Sequence, residues 1–148
     1  MTEKMLGMEL VGTANALRRL TFQDSCAGKA GEDSPTSMQQ WFLAYIWEHY
    51  QSEDVFQKDL EAAFKIRRST ATEILKAMER KKLIERVPSA ADKRSKKILL
   101  TESAIAVCKE NQRKISHTEE LLMRGLSQDE IKVFFNVLQK IQRNIELF

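Results

Sequence analysis

The sequence predicts a mainly helical chain interrupted by one short β-hairpin, and three observations predict it. Apolar residues recur at three- and four-residue steps, as at Ile131, Phe134, Leu138, Ile141 and Ile145, the period of a one-sided helix. Residues 83–87 and 97–100 are instead short strand-like runs separated by PSAADKRS, the pattern of a hairpin with a long loop. The third observation is charge segregation. Between Lys65 and Lys97 stand twelve Lys or Arg against four acids, net +8, whereas the rest of the chain holds twelve basic against seventeen acidic residues, net −5. A polyanion would meet one attractive face on a protein that otherwise repels it.

A chain of 148 residues suffices for one compact domain or a small domain with helical arms. Three regions are expected: residues 1–36 as helix and loop, 37–101 as the head, and 102–148 as closing helices. Cys26 and Cys108 lie 82 positions apart with no CxxC spacing and no His cluster, a pattern that suggests neither a disulfide scaffold nor a metal site. No cofactor is expected. Nowhere do about 18 apolar residues run without a charge, and the start has no signal-peptide pattern, so a soluble cytoplasmic protein is the expectation.

Residues 8–24 form the first expected helix, with Leu10, Val11, Ala14, Leu17 and Phe22 at mostly helical spacing and Gly12 weakening it. The stretch 25–36, SCAGKAGEDSPT, has the composition of a surface connection. Ser37 with Gln40 fits a capping box for a second helix that reaches Tyr50. Trp41, Phe42, Tyr45, Trp47 and Tyr50 predict that this helix is mostly buried. Such residues build either a plain core or the wall of a small-molecule pocket; His49 reads as a packed or surface histidine.

Asp54 with Gln57 has the pattern of another cap, opening a short helix with Leu60, Ala63 and Phe64 inward. After a turn at Lys65 and Ile66, RRSTATEILKAMERKK places Ala71, Ile74, Leu75 and Met78 on one side and Arg68, Ser69, Thr72, Glu73 and Lys76 on others. This is a helix-turn-helix with residues 68–76 as the reading helix. The hairpin loop that follows is too long for a tight turn and too charged to bury, so it should project as a wing tipped by Asp92, Lys93 and Arg94.

Thr101 should cap a long helix to about Arg124, with Ile105, Cys108, Ile115 and Leu122 on or near its apolar side and Gly125 ending it. Ser127 with Glu130 forms a further capping box, and Leu126 with Ile131 a hydrophobic staple, at the start of the last helix. Leu10 on the first helix and Phe134, Leu138, Ile141, Ile145 and Phe148 on the last present more apolar surface than one small chain can cover. A homodimer through the terminal helices is therefore expected.

The QKDL start at Gln57 to Leu60, the RST of Arg68 to Thr70, the exit from Glu79 to Arg86, the tip from Asp92 to Arg94 and the closing Leu100 and Thr101 together resemble the MarR family of bacterial winged-helix regulators. The resemblance extends over most of residues 37–130. The chain departs from the family pattern with Phe56 at a Ser or Thr cap, Arg67 for Ser, and Lys65, Lys82 and Ala104 for Gly. A left-handed Lys82 would cost about 1 kcal/mol, and Thr70 with Glu73 is a candidate substitute cap.

The resemblance implies a mainly α winged helix-turn-helix with N- and C-terminal dimerisation helices. It further implies a sequence-specific transcriptional regulator of double-stranded DNA, usually a repressor, acting on a palindromic operator and without enzymatic activity. Arg68, Thr70, Thr72, Glu73 and Lys76 would address base edges in the major groove, and Arg67, Ser69 and Lys81 the phosphates. The resemblance implies Arg94 in the adjacent minor groove, its side chain oriented by Asp92, with Lys93 and Lys96 on the backbone beside it. It also implies a small aromatic or anionic effector, for which Leu17, Phe22, Phe42, Tyr45 and Ile46 are candidate wall residues. Two other readings stand beside this one: a winged helix that docks an acidic protein, and a redox-sensing regulator acting through an exposed Cys26, with Cys108 a buried apolar residue. An enzyme finds little support, because no Gly-rich phosphate loop, HExxH or nucleophile motif occurs and no catalytic residue is nominated.

Overall fold

A computed structural model of the chain describes residues 5–26 and 34–147, and the side chains of residues 5–20 and 34–147. The elements run α1 (Leu6–Cys26), α2 (Ser37–His49), β1 (Val55–Phe56), α3 (Gln57–Phe64), α4 (Arg68–Arg80), β2 (Ile84–Pro88), β3 (Lys96–Leu100), α5 (Glu102–Met123) and α6 (Gln128–Glu146). The expected mainly helical class with a hairpin wing is the one observed. Two compact units divide the chain at Met1–Gln112 and Arg113–Phe148. Among the described residues no helix is long and apolar enough to cross a membrane, and no group of three or more His, Cys, Asp or Glu could hold a metal ion.

The first unit is built on one apolar cluster. Phe42, Leu43 and Ile46 of α2, Leu60 of α3, and Leu75 and Met78 of α4 meet Val55, Ile84, Ile98 and Leu100 of the strands, with Ala104 and Cys108 of α5 closing the set. Each such side chain removed from water contributes about 1.5–3 kcal/mol. The strands lie in the order β1-β3-β2, all antiparallel. Ile84 stands opposite Leu100, and Arg86 opposite Ile98, so the hairpin turns one face into the cluster while its other face and its tip remain outside.

Several boundaries differ from the sequence-based expectation, each for a local reason. Helix α2 is capped by Thr36, not Ser37: its hydroxyl accepts from the Gln39 N–H at 3.3 Å, and the Gln39 side chain accepts from the Thr36 N–H at 3.0 Å. Tyr50 lies exposed beyond the helix end. The Asp54 cap does not form, because Val55 and Phe56 pair with Ile98 and Lys97 as a third strand. Helix α3 therefore starts at Gln57, the Asp59 carboxylate accepts from the Phe56 N–H at 2.8 Å, and Asp54 pairs with Lys97 at 3.4 Å. Ala63 faces solvent, as does Leu122 on α5. The wing strand extends through Pro88, which pairs with Lys96.

Both lysines that stand at expected glycine positions in turns adopt the left-handed conformation, Lys65 at φ 51° and Lys82 at φ 56°. They close α3 and α4. In each turn the next residue bonds back five positions, Ile66 N–H to the Glu61 carbonyl at 3.2 Å and Leu83 N–H to the Met78 carbonyl at 2.9 Å, the bond pattern that needs a left-handed residue at the helix end. A Cβ at these positions costs roughly 1–2 kcal/mol, which the packing on either side offsets. The Lys82 turn is tied further: the Thr101 hydroxyl donates to the Lys82 carbonyl at 2.7 Å, and the Ser103 hydroxyl reaches the same carbonyl at 3.2 Å. Thr101 also accepts from the Ala104 N–H at 3.2 Å, capping α5.

In the second unit, α6 opens with the Ser127 and Glu130 box: the Ser127 N–H donates to the Glu130 carboxylate at 2.8 Å, and the Glu130 N–H donates to the Ser127 hydroxyl at 3.3 Å. Gly125 provides the positive φ of 80° that separates α5 from it. No described residue of α6 is fully buried in the single chain. Phe134 and Ile145 are exposed and Leu138 and Ile141 half-buried. Phe148 lies outside the described residues.

Lys82→Gly should raise stability by about 0.5–1 kcal/mol, the left-handed strain less the extra freedom glycine has when unfolded; Lys82→Ala should give no such gain. Denaturant midpoints at constant slope would check both. Burial pushes the Cys108 thiol up to about 11 from 9.0. In a Cys26→Ser variant the remaining thiol should resist disulfide reagents at pH 8 and react fully once the chain is unfolded. Because the folded-state value is raised, this group's contribution to stability is complete below pH 9 and is lost as pH approaches 11.

Candidate nucleic-acid interface

Helix α4 owes its orientation to its own two faces. Ala71, Leu75 and Met78 are fully buried, which turns Ser69, Thr70, Glu73, Lys76 and Arg80 outward. Arg68, at the first turn, is also exposed, and Arg67 precedes the helix in an extended conformation with no side-chain cap bond. The Thr70 and Glu73 substitute cap is not formed. The left-handed Lys65 leaves residue 67 extended, so the chain enters the helix at Arg68 and places Thr70 and Glu73 inside it. Glu73 instead pairs with Lys76 at 3.3 Å.

Gln57 brackets α3 to α4. Its amide donates to the Glu61 carboxylate at 2.9 Å, to the Arg68 carbonyl at 3.2 Å and to the Thr72 hydroxyl at 2.8 Å. That hydroxyl in turn donates to the Arg68 carbonyl at 2.8 Å, so Thr72, half-buried, serves the helix pair with its only proton. Lys81 is turned away from the outward face. Its ammonium donates to the Ser34 carbonyl at 2.7 Å and to the Gln39 side chain at 3.1 Å, anchoring the start of α2.

Asp92 shapes the wing tip through the backbone. Its carboxylate accepts from the Arg94 N–H at 2.9 Å and from the Ser95 hydroxyl at 3.1 Å, an Asx turn of the kind that folds a short polar loop. Asp92 thus acts on Arg94 through its backbone N–H. Ser89, buried at the loop base, donates its N–H to the Ser95 carbonyl at 2.8 Å. Lys93, Arg94 and Lys96 are all exposed. Behind them Arg86 of β2 donates to Glu79 of α4, joining wing to helix, and the Arg86 bond holds the Glu79 carboxyl below its usual range. The sequence reading missed this clamp, although an acid at the helix end and an arginine on the next strand were visible.

The effector candidates divide. Phe42 and Ile46 belong to the core cluster, with Phe42 against Phe64 at 5.0 Å between ring centres. Tyr45 is half-buried and stacks on His49 at 4.2 Å, and the His49 ring bonds to the Tyr45 carbonyl at 2.8 Å. Leu17 and Leu10 are half-buried on α1. The side chains of Phe22 and Cys26 lie outside the described residues.

With this geometry in view, the family model described as MarR family matches residues 43–95. Over that stretch the chain resembles the MarR family. Its relatives include the uncharacterised HTH-type transcriptional regulator YybA of Bacillus subtilis (strain 168), 26% identical over 102 residues, which are 69% of this chain and 68% of that one. The fold superposes on the transcription regulator MarR from Oenococcus oeni PSU-1 with a TM-score of 0.77 at 26% identity, covering 94% and 99% of the two chains. It also superposes on S. aureus MepR from a MepR–DNA complex with a TM-score of 0.82 at 25% identity, covering 98% and 99%.

Glu79→Gln should cost about 1 kcal/mol at pH 7, a charged hydrogen bond discounted for partial exposure. The Glu79 value is lowered, so its stabilisation is present above the ordinary 4.5 and lost as pH falls through the lowered value. Unfolding curves of wild type and variant should therefore converge in acid.

Proposed function

We propose that this chain is a MarR-family regulator that binds double-stranded DNA as a homodimer, with α4 in the major groove and the wing in the neighbouring minor groove, and that it acts as a repressor at a palindromic operator. The observation that carries the reading is the common exposure of Arg67 at the start of α4 and Arg68 and Lys76 on it with Lys93, Arg94 and Lys96 on the wing, on a head held together by the Gln57 and Arg86 bonds. The likeness to MepR, whose complex contains DNA, supports it. Base edges would be met by Arg68, Thr70, Glu73 and Lys76, and phosphates by Arg67 and Ser69. A second copy would cover the exposed apolar residues of α6, Phe134 and Ile145 among them, and of α1, setting the two heads about 34 Å apart, one duplex turn. An effector that enters beside α1 and α2 to change that spacing completes the proposal, with Leu17 and Tyr45 as its nearest available walls.

Selection from a random duplex pool tests binding, palindromy and spacing together. If each dimer neutralises about six to ten phosphates, affinity should drop about 10³- to 10⁵-fold between 50 and 200 mM salt. Arg94→Ala should weaken the selected site about 5- to 100-fold and relax preference at the minor-groove positions. Unchanged affinity in an Arg94→Glu, Arg68→Glu double variant would sink the reading.

A further inference from the structure

A cleft of about 570 Å³ lies between the start of α3, the first turns of α4 and the base of the wing, and its lining includes Lys58, Glu61, Arg68, Arg94 and Lys96. In a B-form duplex the major groove and the minor groove beside it share one wall, a single sugar–phosphate strand. A protein that places a helix in one groove and a loop in the next must straddle that strand. The space left between α4 and the wing is this cleft. We propose that it is a phosphate-gripping channel for the strand dividing the two grooves, and that Lys58 of α3 is a phosphate contact of it. The inference rests on the DNA reading above and adds a third element, α3, to the interface.

The chemistry of the lining fits a phosphodiester. Lys58, Arg68, Arg94 and Lys96 are exposed, and none is ion-paired with a described acidic residue. The Lys58 ammonium stands 5.5 Å from the centre of the Phe56 ring, close enough for a cation–π contact that holds it at the cleft while leaving its protons available. Arg86, also in the lining, has an Nε–H that is buried and met by no acceptor among the described residues. Among the described residues the one acid of the lining is Glu61, whose carboxylate accepts from Gln57; it opposes a phosphate and so gives the channel a second, opposite signature.

Phosphate contacts do not depend on base sequence, so a random-sequence duplex of about 30 base pairs, used as a fluorescence-anisotropy probe over a range of salt, reads this site directly. Lys58→Gln should reduce the salt slope by about 1 for each head and weaken binding roughly tenfold per head near 0.1 M salt. It should do so equally for random and selected duplexes. Glu61→Gln, which keeps an acceptor for Gln57, should strengthen binding. Lys132→Gln on α6 should change neither quantity, and circular dichroism should show all three variants folded. If wild type binds with a steep salt slope but Lys58→Gln leaves slope and affinity as they were, the channel is wrong and the DNA reading stands. If wild type binds no duplex at all, the DNA reading falls first.

Discussion

Burial of Leu75 and Met78 in one apolar cluster with Ile84, Ile98 and Leu100 is the constraint on which the rest of the head depends. A dense set of positive side chains repels itself, by about 1 kcal/mol per pair at 4 Å even in water. On the outward face Glu73, paired with Lys76, and Asp92 offset only part of that repulsion. The opposing contribution comes from beneath, where α4 and both wing strands share side chains that would each lose about 1.5–3 kcal/mol on exposure. The cations can therefore be gathered on one side because the apolar residues of the same elements are gathered on the other.

Polar bonds then set the position of helix and wing more finely than packing can. Gln57 reaches three acceptors on two helices, Arg86 ties β2 to Glu79, and Thr101 ties the end of β3 to the exit of α4. Gln57 and Thr101 reach partners 11 or more positions away, and Arg86 reaches back seven. The head accepts some strain at the same points. Lys65 and Lys82 hold left-handed turns at the two ends of the α4 segment without being glycine, and Arg67 begins α4 without a side-chain cap. Each departure costs about 1 kcal/mol, and each replaces a neutral small residue of the family pattern with a cation.

Much of this was legible in the residues. The Ser127 and Glu130 box, the Gly125 break, the Thr101 cap and the buried side of α4 are local signals, written in spacings of three and four positions, and all are found where they were read. The residues left open a reshaped exit at Lys82, where glycine is expected; the left-handed turn is kept. Less legible were features made by distant partners. Strand β1 has only two residues and no periodicity of its own; it exists because Ile98 and Lys97 offer it a free edge. Lys81 looks like any other basic residue until Ser34 and Gln39 come to lie beside it.

The sequence alone determined the order of the elements, the faces of the helices and the segregation of charge, because these depend on side-chain chemistry at short separations along the chain. Tertiary structure decided which polar side chains of the head are available and which are already held. Thr72, Lys81 and Arg86 are held by internal partners, whereas Lys58 stands at the same cleft as Arg68 and Arg94. That division depends on distances between residues 15 or more positions apart in the first two cases, and on a cleft formed by three separate elements in the last. Chain order does not encode such distances; folding does.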